Sequence, residues 1–120
     1  MNFLKLNIEK KTRSNSFYRR VLFTTLNMQL VLMSLKPNIE IGMEKHPKTT
    51  QFIRVEKGRG MAIISGKKRF LKDGDALMIP PNTYHNIINT GKNPLKLYTL
   101  YSPPEHASNH IEKTKMKNKI

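Results

Sequence analysis

The chain has 120 residues, enough for one domain rather than two, and carries 22 Lys and Arg against 8 Asp and Glu for a formal charge of +14. Apolar residues at 38% and charged residues at 25% exclude a disordered chain, and no apolar run approaches the length that spans a bilayer. Cysteine is absent, which removes disulfides, zinc-finger thiolates and thiol nucleophiles, so any metal ligand must come from His, carboxylate, amide or water.

Residues 1–15 read as a polar, basic N-terminal arm without sustained periodicity. Met1 to Lys11 carries Lys5 and Glu9 inside its one apolar stretch and lacks the h-region of a secretion signal. Together with the missing cysteines this points to a cytoplasmic or otherwise intracellular protein. From Phe17 the pattern changes to short apolar runs broken by turn residues. Val21 to Phe23 is one run, and Met28 to Leu35 is rich enough for a strand buried on both faces, stopped by Pro37-Asn38. Thr50 to Val55 follows, then a turn at Lys57 to Gly60. Met61 to Ile64 pairs with Lys68 to Leu71 across Ser65-Gly66-Lys67, a hairpin signal. Asp73-Gly74-Asp75 turns into Ala76 to Ile79, and Pro80-Pro81-Asn82 breaks it. Tyr84 to Ile88 and Leu95 to Ser102 flank the turn Asn89 to Pro94, and Pro103-Pro104 ends the regular part.

Short strands spaced by Gly, Asn, Asp and Pro mark a sandwich or barrel, so the chain reads as all-β, with a barrel over 16–106 and a basic tail over 107–120. The last ten residues read as a short helix or a disordered tail. The positive charge gathers at the ends, in Lys5, Lys10, Lys11, Arg13, Arg19 and Arg20 and in Lys113, Lys115, Lys117 and Lys119. Such solvated ends argue against nucleic acid as the partner, and removing residues 1–12 and 112–120 is expected to leave stability nearly unchanged.

Two histidines lie at strand rims, His46 before one strand and His85 at the head of another. Glu44, two positions before His46, shares its face in extended chain, and Gln51 begins the next strand. Together they offer two imidazoles, a carboxylate and an amide; two His and one carboxylate is a ligand set used by Fe(II), Zn or Mn. Spacing alone leaves open that the histidines are unrelated surface groups. His106 and His110 read either as mouth residues or as a solvated tail. Arg54 and Glu56 are expected opposite Gln51, Ile53 and Val55, as an ion pair or subunit contact. Tyr84, Tyr98 and Tyr101 are expected in core, interface or pocket, and Met28, Met33, Met43, Met61 and Met78 as core filler.

These positions resemble the two motifs of the cupin family. The second, G-x5-P-x-G-x2-H-x3-N, is matched by Gly74, Pro80, His85 and Asn89, with Asn82 in place of the glycine. The first, G-x5-H-x-H-x3,4-E-x6-G, is matched by His46 and Gly58, with Asn38 for the first glycine, Glu44 for the first histidine and Gln51 for the glutamate. Asn is the residue best able to replace Gly in a left-handed turn. The chain is more similar still to a subgroup of small cupins that reads E-x-H, then TQF with R-x-E, and ends in a segment here written LYTLYSPPEH, Leu97 to His106. Members are often called mannose-6-phosphate isomerase-like, which is a statement about fold, since the true isomerase is larger.

The resemblance implies an RmlC-like, single-domain double-stranded β-helix, or jelly-roll barrel. It implies a mononuclear divalent-metal pocket of Glu44, His46, Gln51 and His85 for Zn, Mn, Fe or Ni, and a homodimer using the region Phe17 to Thr24. Two functions stay open. One is a metal-dependent enzyme of the isomerase or dioxygenase class acting on a small polar or sugar-type molecule; the other is a non-catalytic ligand-binding or assembly module.

Overall fold

The computed structural model describes residues 2–115. One short helix, α1 (Ile8–Ser14), precedes nine strands: β1 (Arg19–Thr24), β2 (Gln29–Leu35), β3 (Thr50–Lys57), β4 (Gly60–Ile64), β5 (Lys67–Leu71), β6 (Ala76–Ile79), β7 (His85–Asn89), β8 (Leu95–Ser102) and β9 (Ile111–Glu112). Their turns are made by the residues that tolerate positive φ. The β4–β5 hairpin closes over two residues, Ser65 at φ 49° and Gly66 at φ 79°, the left-handed pair that a tight antiparallel connection needs. Asn38 and Asn82 stand at φ 68° and 61°, beside Gly58 at 115° and Gly74 at 91°. Both asparagines therefore occupy the backbone conformation that glycine usually supplies, which is why the exchange is tolerated.

The strands form two antiparallel sheets, one of six in the order β6-β3-β8-β2-β1-β9 and one of three in the order β5-β4-β7. This is a jelly-roll barrel. Along β3 and β8 the inner residues alternate: Gln51, Ile53 and Val55 on one, Leu95, Leu97, Thr99 and Tyr101 on the other, all essentially inaccessible. They pack with Val31, Met33 and Leu35 of β2 and with Ala62 and Ile87 of the smaller sheet to form the core. β2 is buried on nearly every residue, as its unbroken apolar run requires. The segment 38–46 runs along β7, with Ile41 N–H donating to Ile87 O and Asn89 N–H to Ile39 O. That alignment carries the chain from the far end of the barrel to the end where β3 and β7 begin.

Three sequence expectations need correcting. Of the five methionines expected in the core, Met33 is there, whereas Met28, Met43 and Met78 are exposed, because their strand or loop positions point outward. The tyrosines divide: Tyr101 faces inward, Tyr98 packs on Phe52 outside the sheet, and exposed Tyr84 lies under Lys45. Residues 8–15 are a packed element rather than a free arm. Asn7 caps the helix by accepting from Lys10 N–H at 2.9 Å, Glu9 and Arg13 pair at 3.0 Å, and the last turn is basic. α1 lies against the outer face of β8 and β3, where Thr12 and Asn15 are buried and Lys96 Nζ donates to Asn15 O. At the other end β9 pairs with β1, and Glu112 binds Arg19; residues 116–120 of the tail lie outside the described residues. Deleting residues 1–15 is therefore expected to cost about 1–3 kcal/mol, read as a lowered thermal midpoint. An unchanged melting curve would show that α1 holds nothing.

Arg54 and Glu56 sit on the outer side of β3 as the alternation requires, with Arg54 Nη2 3.3 Å from Glu56 Oε1. No described helix is long and apolar enough to cross a membrane.

Candidate metal centre

Glu44 and His85 face each other as an antiparallel pair, each donating its N–H to the other's carbonyl at 2.9 Å. Residues paired in this way carry their side chains on one face, and His46, two positions on from Glu44, joins them. The result is a convergent group. His46 Nε2 lies 3.4 Å and His85 Nε2 3.5 Å from Glu44 Oε1, and one donor atom from each of the three lies within 4.8 Å of the others. Donors held about 2.1 Å from a common ion stand roughly 3.0–3.4 Å apart, so the spacing needs little adjustment to hold one.

The outer nitrogens are fixed as well. His85 Nδ1 is 2.9 Å from Thr83 O, which selects the tautomer with hydrogen on Nδ1 and leaves the Nε2 lone pair facing inward. His46 Nδ1 lies 3.3 Å from Glu105 Oε1, the carboxylate–imidazole arrangement that orients metal-binding histidines. Both Nε2 atoms are buried without a hydrogen-bond partner among the described residues, and so is Gln51 Oε1. The other end of the Gln51 amide is anchored: its Nε2 donates to Thr99 Oγ1 at 3.0 Å and Tyr101 Oη at 3.2 Å. A buried polar atom left unpaired costs free energy, so three of them on these residues fit a group that accepts lone pairs.

Electrostatics point the same way. Burial would raise the Glu44 pKa, but hydrogen-bonding contact with the His46 and His85 rings outweighs it and holds the carboxyl at about 2. The Glu44 carboxylate in turn raises the His46 pKa against the opposing effect of burial. A site that stabilises a proton on His46 releases it when a divalent ion takes the same lone pair.

Comparison with known proteins settles the family. Residues 31–101 match the cupin domain model. The chain belongs to the cupin family. This cupin is 40% identical to YrkC of Bacillus subtilis (strain 168) over 116 residues and 45% identical to L612 of Acanthamoeba polyphaga mimivirus over 112 residues. The matches cover 92% and 89% of the chain; it spans 62% of the length of YrkC and 69% of L612. The crystal structure of BH2720 from Bacillus halodurans superposes with a TM-score of 0.91 at 39% identity, covering 92% of this cupin and 89% of that chain.

Some of the side chains around the Glu44–His46–His85 group lie outside residues 31–101. Arg19 on β1 shares the face of buried Val21, and the strap that follows β8 returns to pair with β1 through β9. On that strap the His106 ring meets Tyr101 edge-on at 5.2 Å and stacks on His110 at 5.7 Å, while Tyr101 meets His46 at 5.7 Å. Glu112 Oε1 accepts from Arg19 Nη1 at 2.8 Å and lies 2.7 Å from His110 Nε2. His106 is thus a half-buried residue packed against Tyr101 and His110 and not a solvated tail group. Burial, then the charges of Arg19 and His110, push its pKa down to about 4. Buried Gln29 ties the strap to β2. It donates to His106 O and Thr24 Oγ1 and accepts from the N–H groups of Glu105 and His106. Sequence reading missed Arg19, Gln29 and Glu105; the alternation Arg19-Val21 was the available signal for the first.

Proposed function

We propose that this cupin binds one divalent metal ion through Glu44, His46 and His85, with Gln51 Oε1 as a weaker fourth donor, and uses the site to hold a small polar organic molecule. The observation that carries the reading is the pair of inward Nε2 atoms 3.4 and 3.5 Å from one Glu44 oxygen, each imidazole braced at its Nδ1. Two nitrogens and a carboxylate, with an amide oxygen beside them, suit Zn, Mn, Fe or Ni and leave positions for a ligand. Bound there, such an ion supplies Lewis acidity or, where redox-active, oxygen activation, the chemistry of the isomerase and dioxygenase classes. Glu105 orients His46, Thr83 orients His85, and Tyr101 walls the site from the core. Metal analysis of tag-free protein is the direct test: one equivalent of divalent ion per chain is expected, and none after incubation with each ion in turn would defeat the reading.

A second reading, a non-catalytic ligand-binding module, is favoured by the inward Tyr101 ring, which fills barrel interior that a substrate would otherwise enter. Burial raises the Tyr101 pKa, so its hydroxyl stays protonated and donates no charge to a reaction.

The cupin is further proposed to pair as a homodimer through the β1 region. β9 covers β1 at Arg19 and Arg20, while Leu26 at 89% and Met28 at 47% exposure leave apolar surface at the β1–β2 turn. Sedimentation equilibrium at micromolar concentration should return the dimer mass; a monomer mass would refute it.

A further inference from the structure

Folding gathers a set of cations at the end of the barrel away from His85. β3 runs from the Gln51 side of the metal group to Lys57, and β7 runs from His85 to Asn89, so the turns that follow them lie at the opposite end. Those two turns and the one after β5 wall two clefts of about 700 and 720 Å³, which share Arg59, Lys72 and Thr90 and so run together as one groove. Lys57, Arg59, Lys72 and Lys92 line it; all four are exposed, and none forms an ion pair among the described residues. The two carboxylates of the groove are engaged in shaping its turns. Asp73 Oδ1 accepts from Gly58 N–H at 2.8 Å, its other oxygen stands 4.0 Å from Arg13 Nη2, and Asp75 Oδ2 accepts from Lys72 N–H at 2.9 Å. Burial and then the charge of Lys57 lower the Lys96 pKa, so the positive charge here is felt by its neighbours. Phe70, on β5, adds to the groove an aromatic ring that is 81% exposed.

We infer that this groove binds single-stranded nucleic acid, its phosphates along the four cations and a base stacked on Phe70. The charge that argues against nucleic acid in the sequence sits at the chain ends, whereas these cations come from residues 57–92 and only the fold brings them together. A cationic groove that tracks the backbone, with an aromatic ring for a base to cover, is the general form of a single-strand site. An unpaired base offers Phe70 its face, while a duplex keeps its base faces stacked inside. The basic band also outruns a single phosphate. β5 carries exposed Lys68 and Arg69 up to Phe70, and Arg13 of α1 stands beside Asp73 at the other side. Such a row suits a chain of phosphates rather than one small anion. The inference is independent of the metal group, which lies at the other end of the barrel.

The probe is a fluorescent oligothymidylate of about twelve nucleotides, titrated with the full chain at about 50 to 200 mM salt and read by anisotropy. Saturable binding is expected. It should weaken as salt rises with a logarithmic slope of about 3, since each phosphate neutralised on a single strand contributes roughly 0.7. Lys72→Gln combined with Lys92→Gln should halve that slope. Lys36→Gln combined with Lys113→Gln removes the same charge from exposed positions outside the groove and should leave it nearly unchanged. Phe70→Ala should weaken binding by roughly tenfold with the slope intact. All five positions are exposed, so the melting curves of these variants should match the wild type. A duplex of the same length, inorganic polyphosphate and phosphatidylserine vesicles should each bind more weakly than the oligonucleotide. Absence of saturable binding, equal losses from the two charge pairs or an indifferent Phe70→Ala would overturn the inference. So would duplex, polyphosphate or vesicles bound at least as tightly as the single strand.

Discussion

His85→Ala is expected to strip the protein of divalent metal, with a loss in affinity of at least the roughly 10–100-fold that disturbing even an outer-shell partner costs. The side chain is 2% exposed and supplies one of two imidazole donors, and among the described residues no other His, Asp or Glu completes the group of three in its place. Gln51→Ala should cost only part of the affinity, because an amide oxygen is a weak neutral donor. Gln51→Glu reverses the direction. The new carboxylate can accept hydrogen bonds from the Thr99 and Tyr101 hydroxyls, which now accept from the amide, and it adds a negative charge beside the ion. Tighter binding follows, provided repulsion with Glu44 does not raise both carboxyl pKa values in the metal-free form. Chelator competition across wild type and the three variants orders them as Gln51→Glu, wild type, Gln51→Ala, His85→Ala. Equal, near-zero occupancy in all four would sink the metal reading and leave the binding-module reading in its place.

Much of the architecture was legible because it is written in local chemistry. The eight apolar runs became β1 to β8 with ends shifted by a residue or two, since each is bounded by a residue suited to a turn. Asn38 and Asn82 were readable as glycine substitutes from their type alone, and the backbone bears this out. The Glu44–His46 face followed from strand periodicity, but its meeting with His85 depended on a register only the motifs implied. What stayed hidden is non-local. Arg19 meets Glu112 across 93 positions, and Gln29 reaches His106 across 77, so neither contact leaves a periodic trace. The helix α1 was missed because it is seven residues long with one buried side chain, too little for an apolar stripe. The basic charge that made both ends look solvated also concealed that Lys96 and Arg19 hold those ends to the barrel.

Gln29→Leu is expected to destabilise the fold by about 2–4 kcal/mol, although it exchanges one buried side chain for another of similar size. Gln29 is fully buried and uses both ends of its amide: Oε1 accepts from Glu105 N–H at 3.2 Å and His106 N–H at 3.0 Å, and Nε2 donates to His106 O at 2.7 Å and Thr24 Oγ1 at 3.0 Å. Leucine repacks the space but leaves two backbone donors and a carbonyl of the strap without these partners. Their desolvation, rather than lost volume, sets the cost. Urea denaturation measures the loss, and hydrogen exchange at the Glu105 and His106 amides shows where it falls. The effect should reach the metal. Freed from Gln29, the strap no longer holds Glu105 3.3 Å from His46 Nδ1, so ion affinity should drop by about tenfold though Gln29 is not in the metal group. Glu105→Gln separates the two effects, because it leaves the strap anchored and removes the carboxylate alone. It should match the affinity loss of Gln29→Leu with little loss of stability. Full protection of both amides in Gln29→Leu, with unchanged affinity, would show that the strap is held by its own packing and that Gln29 is incidental.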